Sequence, residues 1–252
     1  MILLILFQAQ NLHIGFIKHE PMEQDFSTTQ VLQRYNLNVN KDLLYSYEEL
    51  KRLNIDQDFI YTLLETFEDE NSFSAKAFDK FSFDIIIDYI HRTHTYYLSK
   101  KLPEIEQSIH ILLKDYESNH PLLQILNTFF KSYTAKLTSH IHAEEKRLIP
   151  YIHSLITFDK EGSEGDKFFA VTHNYSLQHF IHSHDDTEQD LANIRDTMLE
   201  YKAPITNQTP FRILLSQLDT FEKDLKLHAM IEDEVLIPRA LLLEAKVNNK
   251  FS

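Results

Sequence analysis

The chain has 252 residues, 43% of them apolar, a formal charge of −13 and no cysteine. That length can bury a substantial core, and the acidity argues against nucleic acid or an anionic membrane surface as the main partner. Without thiols there are no disulfides, thiolate nucleophiles, thiolate zinc sites or clusters held by the chain's own cysteines, and three glycines are too few for a turn-rich β fold or a phosphate-cradling loop.

Met1–Phe7 is apolar but short and lacks a basic start, so neither a signal peptide nor a membrane span is expected, and a cytoplasmic location is the simplest reading. Residues 1–26 are ambiguous between strand and helix. Ser27-Thr-Thr-Gln30 has the form of a capping box, opening a helix with Val31, Leu32 and Tyr35 on one face. Short helices are expected at Tyr47–Leu53 and Asp58–Phe67. Residues 1–75 therefore read as a small, mostly helical, cysteine-free module.

Residues 76–252 carry four long helical patterns, near 82–116, 121–156, 167–201 and 209–245. Pro103 is expected to bend the first, Pro121 stands in the first turn of the second, and Thr209-Pro210 caps the fourth. Apolar steps of three and four residues, as at Phe211, Leu214, Leu215, Leu218, Phe221 and Leu225, predict an all-α fold: an antiparallel up-down four-helix bundle.

The chemistry lies in a repeated cassette. His140-Ile-His-Ala-Glu144-Glu-Lys-Arg-Leu-Ile-Pro150 recurs as His228-Ala-Met-Ile-Glu232-Asp-Glu-Val-Leu-Ile-Pro238. Each puts an imidazole and a carboxylate one helical turn apart on one face. A lone His-x3-Glu is common by chance; His19/Glu23 is broken by Pro21, and His184/Glu188 lacks the Leu-Ile-Pro ending. Agreement across the whole cassette is specific. Pro150 and Pro238 are expected to bend or end their helices.

Spacing adds a second argument. His94, His140, His184 and His228 fall near the middle of the four helices at intervals of 46, 44 and 44 residues. In an up-down bundle these intervals bring the four to one level. Four imidazoles with Glu144 and Glu232 are too many ionisable groups to bury uncompensated, whereas a pair of cations bridged by the carboxylates satisfies them. Imidazole and carboxylate without thiolate suit iron, manganese or zinc, and carboxylate bridging with open positions favours iron. His179 and His182 compete with His184, and His91 competes with His94 from one turn earlier.

His140-x3-Glu144-Glu-x3-Ile-Pro150, Ser183-His184-Asp-Asp, His228-x3-Glu232-x2-Val-Leu-Ile-Pro-Arg-Ala-Leu241 and the Ile87–Glu104 stretch with its Leu102-Pro-Glu104 resemble the hemerythrin-like domain of the iron–sulfur cluster repair di-iron proteins, the Repair of Iron Centers family. The resemblance covers about residues 76–245. It implies a non-haem di-iron centre, oxo- or hydroxo-bridged, held by His94, His140, Glu144, His184, His228 and Glu232. It also implies damaged iron–sulfur proteins as clients, NO and O2 as small ligands, and a role in the response to nitric oxide or oxidative stress; a homodimer stays open. Measured back from Leu102-Pro103, the family's first ligand falls on Thr95, so His94 needs a local bulge to take that place. Family members often begin with a Cys-Cys pair that this chain lacks. Oxygen-carrying hemerythrins are the neighbouring alternative, as O2 or NO sensors or carriers; they add a His-x3-His pair that this chain does not have.

Overall fold

The computed structural model describes residues 26–37, 50–53, 55–68, 73–115, 121–161, 176–183, 187–200 and 208–251. Every regular element among them is helical, as the pattern of apolar steps requires. Helix α1 (Phe26–Arg34) already includes Ser27, which therefore lies within the helix instead of capping it. Its far end closes as a Schellman turn. Asn36 takes φ 55°, Leu37 N–H donates to Leu32 O at 3.0 Å, and Asn36 N–H donates to Gln33 O at 3.1 Å. Asn tolerates this left-handed conformation, and buried Leu37 seals the turn. The result holds Arg34, the last residue of α1, against the bundle.

Helix α2 (Gln57–Glu68) starts from Asp56, whose Oδ1 accepts the Phe59 N–H at 2.9 Å. Only the end of the helix expected at Tyr47–Leu53 falls among the described residues. A single 3-10 turn (Ala75–Phe78) leads into the bundle.

Three long helices follow one plan. Helix α3 (83–115) runs as Phe83–Tyr96, a π turn at Tyr97–Lys101, then Leu102–Asp115. Helix α4 (121–161) has its π turn at Glu144–Leu148, and α7 (209–251) at Glu232–Leu236. In each, a proline stands two residues past the π turn: Pro103, Pro150 and Pro238. A proline inside an α-helix removes one hydrogen bond and crowds the carbonyl four residues back. Here those carbonyls belong to Ser99, Lys146 and Glu234, all inside the widened turns. The ladder resumes through five-residue bonds from Leu102 to Tyr97, Ile149 to Glu144 and Ile237 to Glu232. Pro150 and Pro238 therefore do not end their helices, which run on to Glu161 and Phe251, beyond the expected 156 and 245. The fourth helix also starts differently: Gln208 occupies the cap, and Thr209 is already helical.

Of the expected third helix, α5 (Leu177–Ser183) and α6 (Thr187–Glu200) are described. Helix α3 packs on α4, α4 on α6, α6 on α7 and α7 on α3, with the second half of α3 against the first half of α4. This is the up-down arrangement. Two apolar cores fill it. One joins α1, α2 and the 3-10 turn to the first half of α3 and the last halves of α4 and α7. The other lies among the remaining halves and α6. Phe59 at the first core meets Phe78, Phe81 and Tyr89 edge-on, with centroids 5.0–6.0 Å apart. Between the two cores, α3 carries His94, and α4 and α7 each carry the histidine and carboxylate of a cassette.

Candidate metal centre

At that middle level the apolar periodicity is interrupted by buried polar groups. His94 of α3, Glu144 of α4, and His228 and Glu232 of α7 are only 2%, 1%, 5% and 1% exposed. One ligand-capable atom from each of His94, Glu144 and His228 falls within 4.8 Å of the others. His94 Nε2 lies 3.0 Å from Glu144 Oε2 and 3.2 Å from His228 Nε2. His140 Nε2 is 2.6 Å from Glu144 Oε1, and His228 Nε2 is 3.7 Å from Glu232 Oε2. The imidazole and carboxylate of each cassette meet as their one-turn spacing demands, and the bundle brings the two cassettes together with His94.

His91 does not enter this cluster. Its side chain is largely exposed, and its Nδ1 lies 3.0 Å from Glu145 Oε2. Glu145 Oε1 in turn lies 2.7 Å from His94 Nδ1 and accepts its proton, so the opposite nitrogen, Nε2, faces the cluster. The π turn at Tyr97–Lys101 adds a residue between His94 and Pro103, the kind of bulge that the one-residue offset from Thr95 calls for. His184 lies outside the described residues.

The charges are arranged unevenly. Burial lowers the basicity of His94, but hydrogen bonds with Glu144 and Glu145 outweigh it and hold the pKa up at about 9. His228 is pushed well below the ordinary histidine value, first by burial and then by the neighbouring charge of His94. Burial works to raise Glu145, yet its contacts with His94 and His91 bring it below the usual carboxylate range. Two rings that point Nε2 at one another can share only one proton.

That donor set fits a cation. It offers ring nitrogens and carboxylate oxygens only, from three helices, at the distances of a cluster whose members each hold a lone pair toward the same space. A positive ion there removes the conflict between the facing nitrogens and neutralises buried carboxylate charge. The Glu145–His94 contact is the carboxylate–histidine arrangement that orients a metal-binding imidazole.

Sequence reasoning did not single out four residues that the fold places around this cluster. Glu145 was visible only as a second acid after Glu144. Tyr97 packs its ring edge-on to His228, with centroids 5.8 Å apart, and its hydroxyl donates to Asp224 Oδ1 at 3.0 Å. Asp224 is 1% exposed and pairs with the buried guanidinium of Arg34, which also donates to Tyr89 Oη at 3.1 Å. The readable signal was Asp224-x3-His228-x3-Glu232, an acid continuing the cassette one turn backwards along the same face. Arg34 left no such signal.

No curated protein and no solved structure matches the chain. Residues 86–240, which contain His94, both cassettes and Asp224, match the Hemerythrin HHE cation binding domain, and with more than half of its length inside that match the chain belongs to the hemerythrin HHE family.

Proposed function

We propose that the chain holds two non-haem iron ions at this level of the bundle and helps restore iron–sulfur clusters damaged by nitric oxide or oxidative stress. The observation that carries the reading is the donor set itself: His94, His140, Glu144, His228 and Glu232, buried or nearly so, mixing imidazole with carboxylate and free of thiolate. His184 joins them on the strength of its spacing and motif. Bound iron supplies either an exchangeable store for rebuilding clusters or a site at which a diatomic ligand reacts. The chain's own residues hold and orient the ions: Glu145 fixes the His94 ring, and the wall of Tyr97 and Phe221 keeps water from one side of His228. With no cysteine in the chain, the proposed repair proceeds without a protein thiol relay. Clients are damaged iron–sulfur proteins of the cytoplasm.

The test combines metal analysis with physiology. Protein purified without oxygen should carry close to two irons per chain and, after oxidation, absorb in the near ultraviolet. Cells lacking the protein should regain iron–sulfur enzyme activity after nitric oxide more slowly than wild type. An iron-free protein sinks the metal assignment, and recovery at the wild-type rate sinks the repair role. The second reading, a carrier or sensor of O2 or NO, is favoured by the near-complete enclosure of His94 and His228; a stable, reversible oxygenated spectrum would select it.

A further inference from the structure

We infer that Asp224 and Arg34 position His228, which makes the N-terminal helix α1 part of the frame that holds the metal ligand. The inference rests on the reading of His228 as a ligand. It begins from α7, where Asp224, His228 and Glu232 occupy one face at successive turns. The Nε2 atom of His228 faces His94 and Glu232, so Nδ1 is the nitrogen on the far side of the ring from the cluster. Among the described residues, His228 Nδ1 has no hydrogen-bond partner, and neither has Asp224 Oδ2.

A buried nitrogen able to donate and a buried oxygen able to accept, one turn apart on one face, are each costly alone and satisfied together. The two atoms make no direct hydrogen bond, so the link runs through one shared water, for which the equally unpartnered Arg34 Nε supplies a third polar contact. Through that water the Nδ1–H of His228 donates toward the Asp224 carboxylate. This fixes the ring's tautomer, directs Nε2 to the ion and raises its donor strength, as Glu145 does for His94.

Asp224 can do this only while its carboxylate is held. Its Oδ1 takes the Tyr97 hydroxyl and the Arg34 guanidinium. Arg34 is itself fixed by Tyr89 and by the rings of Phe67, Tyr89, Tyr96 and Tyr97, 5.2–5.9 Å from its guanidinium carbon. A continuous path runs from the last residue of α1 to the imidazole. Displacing α1 from the bundle releases Asp224 and slackens the metal site.

The experiment measures binding of ferrous iron without oxygen, and of zinc, to the full chain and its variants, with circular dichroism and thermal unfolding of the metal-free forms alongside. Asp224→Asn and Arg34→Met should each weaken binding roughly 10–100-fold. Because each single change strands a buried group, the double variant Arg34→Met/Asp224→Leu removes both charges and should keep the helical spectrum while still binding more weakly by that factor. If the double variant binds like wild type, the pair is merely structural and the inference fails. On unaltered protein loaded with zinc, nitrogen NMR should show His228 protonated at Nδ1 and slow to exchange; a bare Nδ1 overturns the inference independently of any variant. A wild-type chain that binds neither metal overturns the metal reading beneath it, which the binding curves distinguish at once.

Discussion

Two buried polar clusters share one face of α7, and they neutralise their carboxylates in different ways. Asp224 and Glu232 are equally enclosed, 1% exposed each, two helical turns apart. Asp224 is met by an arginine from a helix 190 positions away in sequence. Arginine stays protonated at any pH the protein meets, so that cluster is closed by the fold itself. Glu232, like Glu144, is met by imidazoles, which can surrender a proton and offer a lone pair to an ion. The first cluster is built to stay as it is. The second can give up a proton and offer its lone pairs to a cation.

The largest effect expected from breaking this contrast is at Glu144. Glu144→Gln keeps the shape but removes a donor shared by His94 and His140, so metal binding should fall by more than the roughly 10–100-fold typical of an outer partner. The metal-free protein loses a carboxylate that helps hold up the His94 pKa but is also relieved of a buried charge, so near pH 7 its melting temperature should fall less than that of Arg34→Met. Titration with ferrous iron and a melting curve in chelator check both halves; a large loss of metal-free stability would mean that Glu144 serves the fold first.

Arg34→Met tests the other cluster, and beside the weaker metal binding already expected of it the larger effect should be on the stability of the fold. It strands Asp224 in the interior, and breaking a buried pair this way costs about 3–5 kcal/mol. The loss should appear with and without metal, as a lowered denaturation midpoint. Burial acts to lower the Arg34 pKa, but Asp224, Tyr89 and Tyr97 overcome it and raise the value. No pH within reach titrates this cluster from the arginine side.

The histidine cluster, by contrast, should respond to pH. Metal-free His94 has its pKa raised from 6.5 to about 9. A raised folded value means that its contribution to stability is complete below the unfolded value and is lost as pH climbs through about 9. Metal binding must expel that proton, so apparent affinity should rise between pH 6.5 and 9 and level off above. Calorimetry in two buffers of different ionisation heat should record one proton released per His94 engaged at neutral pH. A flat affinity profile across this window would refute the assignment of His94.

The sequence made the second cluster legible and hid the first, for physical reasons. His228 and Glu232 stood out because a one-turn spacing has a defined meaning on a helix and because His140 and Glu144 repeat it. The bundle followed from periodicity. The consequence of Leu-Ile-Pro did not: a proline pattern reads as a bend or a stop, while the chain resolves it as a π turn, which depends on how five-residue hydrogen bonds can be closed next to a buried polar cluster. Asp224 has no counterpart in the first cassette, where Lys136 occupies the matching position and pairs with Asp190 on α6. Arg34 is the least readable of all. Nothing local tells a charged residue at a helix end that it will be buried against α7, and only the Asn36 turn and the packing of α1 decide it.

The smallest expected effect sharpens the contrast most, because two consequences of Glu145→Gln oppose each other. Removing the carboxylate takes charge away from His94 Nδ1, which weakens the ring as a metal ligand by roughly tenfold. The same change lets the metal-free His94 lose its proton more easily, since Glu145 is one of the groups holding its pKa up, after Glu144. Near pH 7 the gain in free base offsets the loss in donor strength, and affinity should stay close to wild type. Above pH 9 wild-type His94 is already deprotonated, the compensation vanishes, and the variant should bind about tenfold more weakly. Affinity curves that diverge only on the alkaline side identify Glu145 as an electronic partner of His94. Curves separated by a constant factor at all pH values would reduce it to a steric prop.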